Sequence, residues 1–155
     1  MSIEASLAEL ESQVGQEVHV SDWITVDQAQ VNAFAGATND HQWIHVDPER
    51  ARAESPFKTP VAHGFLTLSL VPSLRGIVEA DRPLFPGVKN VINYGLNKVR
   101  FPAPVPVGAR IRGHFTLSSV SQKRDAIELV EVYSAEVEGQ ERPACVAETI
   151  MRLYF

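Results

Sequence analysis

The stretch that most constrains this chain lies between Gly64 and Ala80. Phe65, Leu66, Leu68, Leu70, Val71, Leu74, Ile77 and Val78 surround a helical axis there almost completely. A helix with one apolar stripe can lie on a surface, but one that is apolar all round must be buried. Pro72 removes one backbone hydrogen bond inside it, so a kink or local break is expected. The second half of the chain supplies the cover. Val88 to Phe101 reads as extended, with a bend near Gly95. Ala109 to Ser119 alternates, with Ile111, Phe115 and Leu117 on one side and Arg110, Arg112 and His114 on the other. Residues 125–137 are rich in Val, Tyr and Leu, and 143–154 alternates again, with Cys145, Ala147, Met151 and Leu153 on one side. Turn residues separate these runs at Pro102–Gly108, Gln122–Asp125 and Gly139–Pro143. Four or five long antiparallel strands wrapped around one buried helix define an α+β architecture. A curved sheet of that kind has open edges, so dimerisation by edge pairing is expected.

The first half of the chain is punctuated by helix signals. Leu7, Leu10 and Val14 recur at helical spacing over residues 3–14, with Gly15 as a stop. Residues 17–24 look extended. Thr25 followed by Gln28 fits a capping box for a helix over residues 26–36. Its apolar face is Val31, Phe34 and Ala35, and Gly36 suits its exit. Asp47-Pro48 is a further start signal, for a short helix over residues 48–54.

At 155 residues the chain is expected to form one domain, residues 1–155. Its 19 Asp and Glu against 14 Lys and Arg give a net charge of −5 with no basic block, a poor match for nucleic acid. No apolar run approaches the roughly 18–20 residues of a membrane span, and the acidic, amphipathic start MSIEASLAELESQ is neither a signal nor a transit peptide. The single cysteine, Cys145, precludes an internal disulfide or a cysteine-based zinc site. A cytoplasmic protein is expected, with any chemistry drawn from His, Asp, Glu and backbone groups.

The chemically loaded stretch is Asn39-Asp40-His41-Gln42-Trp43-Ile44-His45-Val46-Asp47, which puts two acids and two imidazoles in nine residues. Three readings compete. As a metal site, His41 and His45 have the i, i+4 spacing of two ligands on one helix face. Gly36 before them and Asp47-Pro48 after them argue that the stretch is not helical, which removes the meaning of that spacing. As a structural feature, an Asp–His pair satisfies buried polar groups in a loop. As an acid–base site, Asp40 beside a neutral His45 holds and polarises a water. The sequence Ala62-His63-Gly64, directly before the buried helix, strengthens the third reading. Free N–H groups at a helix start stabilise a developing oxyanion, and glycine allows close approach of a ligand. Gly64 could also simply provide packing room, and His63 reads as a core histidine holding the turn.

The run AspHisGlnTrpIleHisValAspProGluArgAla, followed by PheLysThrProValAlaHisGlyPheLeuThr, resembles the MaoC-like (R)-specific enoyl-CoA hydratases of the hot-dog superfamily. The stretch AsnTyrGlyLeuAsnLysValArgPheProAlaProValProValGlyAlaArg at 93–110 is similar to the nodulation-protein-N-like branch of that family. The resemblance runs from about residue 15 to the end. It implies a hot-dog fold, a long helix wrapped by a curved antiparallel sheet, and a homodimer in which two sheets join. It implies Asp40 and His45 as the catalytic pair and Gly64 as the residue whose N–H polarises a thioester carbonyl, with no cofactor and no metal. Gln42-Trp43 replaces the Asn-Pro of many members, and Pro72 stands where some carry a serine, so no serine is assigned a role.

The function so implied is reversible hydration of a trans-2-enoyl-CoA to an (R)-3-hydroxyacyl-CoA. Water held by Asp40 and His45 attacks C3, Asp40 serving as the base because a carboxylate stays ionised near neutral pH. The coenzyme A phosphates require cations, for which Lys58, Arg75, Lys98, Arg100, Arg110 and Arg112 are candidates, and the acyl chain is expected near Phe65 and Leu68. A hot-dog thioesterase, or a non-catalytic acyl-thioester-binding subunit, is the alternative.

Overall fold

The computed structural model describes residues 3–79 and 81–155. Four long strands dominate it: β3 (Asn90–Arg100), β4 (Arg110–Gln122), β5 (Ala126–Val137) and β6 (Cys145–Tyr154). With the short strands β1 (Glu17–Val20) and β2 (Ile24–Thr25) they form one antiparallel sheet in the order β1-β4-β5-β6-β3, with β2 also on β4. The expected alternation is borne out. In β4, Ile111, Phe115 and Leu117 are buried while Arg112 and His114 face outward; β6 buries Cys145, Ala147, Met151 and Leu153. Pairing irregularities on either side of Gly95 and Leu96 bend β3 where the glycine suggested.

The central helical segment comes in two pieces, α5 (Gly64–Ser69) and α6 (Val71–Arg75), separated at Leu70. Pro72 falls in the first turn of α6, where its missing N–H costs least. This is the break that Pro72 predicts. The segment ends sooner than expected, because Gly76 adopts φ +80° and closes the helix. Its expected end at Ala80 lies outside the described residues. The all-round burial also needs correction. Leu66, Thr67, Val71, Leu74 and Arg75 are buried against the sheet, whereas Phe65 and Val78 are each 66% exposed. One chain's sheet covers only one side of the segment. The Tyr133 hydroxyl, itself packed on Phe115, donates to the Thr67 carbonyl at 3.2 Å and fixes α5 over the middle of the sheet.

The remaining helices close the ends. The first helix, α1 (Ile3–Ser12), packs Leu7 and Leu10 against Leu117, Leu129 and Leu153, and stops before Val14, which is 43% exposed. The second, α2 (Gln28–Thr38), is capped by Asp27, whose carboxylate accepts from the Gln30 N–H at 2.8 Å. Thr25 is not the cap, because β2 pairing with Arg110 occupies it. Nor does α2 end at Gly36. That glycine sits on the exposed face, and the helix runs on to Asn39, which takes the left-handed conformation at φ 58° that Asn tolerates. Helix α4 (Pro48–Glu54) starts as expected, its Asp47 carboxylate accepting from the Arg50 N–H at 3.0 Å.

Candidate active site

Left-handed Asn39 turns the chain out of α2 and delivers Asp40. The next residues correct the expectation of a wholly non-helical stretch, because Trp43–Val46 form a single helical turn, α3. Within it His45 is buried, whereas His41 is exposed and takes no part. Long-range contacts hold the turn. The Gln28 side chain donates to the His45 carbonyl at 2.8 Å, and the Val61 N–H donates to the Ile44 carbonyl at 3.0 Å. The strip around Val61 is itself tied to the Pro102–Gly108 loop, the Ala62 N–H donating to Val105 O at 2.8 Å and the Val107 N–H to Pro60 O at 2.9 Å.

A carboxylate oxygen of Asp40 and one ring nitrogen each of His45 and His63 lie within 4.8 Å of one another. That span fits one water hydrogen-bonded at about 2.8 Å to two of them. The hydrogen bonds also set the imidazole tautomers. Nδ1 of His45 is 2.6 Å from the Val61 carbonyl, which can only accept. Nδ1 therefore carries the hydrogen, and the Nε2 of the neutral ring presents a lone pair. Burial is the main cause that pushes the His45 pKa below its ordinary 6.5. The Val61 hydrogen bond opposes the shift, His63 adds to it and Asp40 opposes it. His45 thus faces the cleft as an acceptor at neutral pH, not as the donor that a generic imidazole could also be.

His63 is 2% exposed and stacks on His45, with ring centroids 3.8 Å apart and planes at 25°. Lone pairs lie in the ring planes, so rings stacked in this way do not converge on a shared ion. Gly64 is the first residue of α5, and its N–H has no partner within the helix. A Cβ at this position would sit 3.0 Å from the Phe101 ring, so the absence of a side chain keeps the approach open. His45 and Gly64 line one cleft of about 320 Å³ with Phe57, Thr67, Phe101 and Pro104. Asp40 does not line this cleft, and its side chain is 37% exposed.

The structure separates the six candidate cations. Arg75 is buried and bidentate to Glu131, Arg110 is paired with Glu138, and Arg112 lies 2.6 Å from Glu136. Lys58, Lys98 and Arg100 have no carboxylate partner among the described residues. Lys58 follows Phe57 and Arg100 precedes Phe101, two rings of the cleft. Leu68 lines a separate groove of about 430 Å³ between the helical pair and strands β3 and β6, while Phe65 points outward, edge-on to Phe101 at 5.9 Å.

The chain belongs to the MaoC-like family: the family described as MaoC like domain matches residues 9–140. The chain is 52% identical over 148 residues to 3-hydroxyacyl-thioester dehydratase Z of Mycobacterium tuberculosis, covering 95% of each protein. It is 47% identical over 149 residues to Nodulation protein N of Rhizobium meliloti, covering 95% of this chain and 90% of that one. Among solved structures it is similar to the (R)-hydratase from A. caviae involved in PHA biosynthesis, with a TM-score of 0.71 and 25% identity over 90% of this chain and 96% of that chain. The architecture is thus the α+β hot-dog fold that the sequence motifs imply.

Proposed function

We propose that this protein catalyses the reversible, (R)-specific hydration of trans-2-enoyl thioesters to (R)-3-hydroxyacyl thioesters, with acyl-CoA as substrate. The observation that carries this reading is that His45 and Gly64 line one cleft, His45 with an open Nε2 and Gly64 with a helix-start N–H, while the Asp40 carboxylate lies within 4.8 Å of a ring nitrogen of His45. The relatives named as a thioester dehydratase and an (R)-hydratase support it.

The thioester carbonyl accepts from the Gly64 N–H, drawing electron density from the double bond and leaving C3 electrophilic. Water donates one hydrogen to Asp40 and the other to Nε2 of His45. As the water oxygen bonds to C3, its proton passes to Nε2, which returns it to C2. His45 is then the proton carrier, and Asp40 orients the water and balances the transient imidazolium. The sequence alone favours Asp40 as the base; the tautomer imposed by Val61 favours His45. Removing one oxyanion donor typically costs about 2.7–4 kcal/mol in such reactions. Lys58 and Arg100, which have no carboxylate partner among the described residues and adjoin Phe57 and Phe101 in sequence, are the cations favoured for the coenzyme A phosphates.

Residues 1–155 act as a single MaoC-like domain in this reading, and two copies form a homodimer. Strand β3 is an edge of the sheet, and Ile92, Tyr94 and Leu96 on it are 48%, 55% and 46% exposed. Pairing β3 with β3 would bury them together with the free side of the helical pair. We place the reaction in the cytoplasm, where a thiol such as Cys145 stays reduced. The test is a panel of trans-2-enoyl-CoA substrates followed by ultraviolet absorbance, with a thiol reagent present and product chirality determined. Loss of the conjugated absorbance with an (R) product and no free thiol is expected. Release of free thiol would instead indicate a thioesterase.

A further inference from the structure

We propose that His63 is a positioning residue for this reaction, one side chain that fixes Asp40, His45 and the Gly64 N–H relative to each other. The role in turnover rests on the hydratase reading, whereas the geometry stands without it.

His63 does not touch the cleft. It is 2% exposed and absent from the lining to which its neighbours Ala62 and Gly64 contribute. Its Nε2 lies 2.9 Å from the main-chain carbonyl of Asp40, so Nε2 carries the hydrogen and donates. Asp40 also receives a long contact from the Gln42 N–H to its carboxylate, at 3.4 Å, and the next turn is closed by the His45 N–H donating to the Gln42 carbonyl at 3.0 Å. One face of the His63 ring lies on His45 at 3.8 Å, and Phe34 packs against the ring at 5.0 Å. The Val61 carbonyl fixes one atom of His45 but leaves the ring free to tilt about that bond, and the His63 face removes the tilt. Because His63 directly precedes Gly64, the residue that spaces the two acceptors also starts the turn presenting the N–H.

Packing alone does not account for an imidazole here. The other nitrogen, Nδ1, is buried with no hydrogen-bond partner among the described residues, which costs stability, and phenylalanine would fill the space without that cost. What phenylalanine lacks is the donor to Asp40.

The two functions separate by substitution. His63→Phe keeps a ring face for His45 and loses the donor; His63→Gln keeps a donor and loses the face. With crotonyl-CoA, kcat is expected to fall about tenfold or more in both folded variants while KM changes less than about threefold. Nitrogen-15 NMR of the imidazoles gives a readout independent of turnover. Wild-type His45 is expected as the Nδ1–H form and His63 as the Nε2–H form, with His45 losing its single form in His63→Gln. Wild-type kcat in both folded variants, with an unchanged His45 signal, would overturn the proposal. If the wild type hydrates no enoyl thioester, the hydratase reading fails, while the NMR comparison still decides whether His63 seats His45.

Discussion

Buried polar groups sit at both ends of the α5–α6 segment, and the chain treats them in opposite ways. At the far end the Arg75 guanidinium makes three hydrogen bonds to Glu131, at 3.2, 2.9 and 2.9 Å, with side chains only 5% and 1% exposed. Phe85 and Phe115 lie 5.8 and 5.7 Å from it and complete the enclosure. At the Gly64 end His45 is buried and held by Val61 while Asp40 is partly exposed, and each polar group keeps one valence open: Nε2 of His45, the carboxylate of Asp40 and the N–H of Gly64. A closed pair fixes the register between helix and sheet, whereas an incomplete one is available for chemistry. Arg75 was a candidate phosphate ligand from sequence, and its closure by Glu131 removes it.

The contrast can be broken most severely at the closed end. Glu131→Ala strands a buried guanidinium and should destabilise the fold by about 3–5 kcal/mol, read as a shift in denaturant midpoint. The folded fraction should retain wild-type kcat, and a loss of kcat without a loss of stability would erase the distinction between the ends. At the open end Gly64→Ala should cost less stability than Glu131→Ala, because the Phe101 ring that its Cβ meets is 41% exposed and can shift. Its new Cβ, 3.0 Å from Phe101, narrows the approach of the carbonyl and should lower kcat/KM by about tenfold. Wild-type kcat/KM in this variant would show that the carbonyl does not bind there. The smallest effect is a pH shift. Only neutral His45 has the lone pair, and burial lowers its pKa, so the acid limb of kcat/KM should fall below pH 6.5. A limb at or above 6.5 would mean that a different group titrates.

The sheet was legible because β4 as far as Leu117, and β6 throughout, alternate under a one-sided burden of burial. The break at Pro72 was legible because proline has a single mechanical consequence. Other signals misled. Gly36 reads as a stop, yet on an exposed face α2 simply runs through it, and Asp27 outcompeted Thr25 as a cap once β2 had claimed the threonine. Phe65 and Val78 count as core in a helical projection that cannot show which side the sheet leaves bare. Asp40, His45 and Gly64 could be singled out by residue type and by family resemblance. The contacts that set their chemistry could not. The Val61 carbonyl that selects the His45 tautomer is main chain, and the Gln28 amide that holds α3 comes from 17 residues away, so neither leaves a mark in local spacing. By sequence His63 is a core histidine, and it is buried, but only three dimensions reveal that its ring rests on His45.

The central claim is that Asp40 and His45 share one water in front of the Gly64 N–H. Its most direct test is the rate of crotonyl-CoA hydration by Asp40→Asn and His45→Gln, with folding verified by circular dichroism and thermal melting. Each change should lower turnover by at least about a hundredfold while the fold persists. Near-normal hydration by either folded variant would contradict the account.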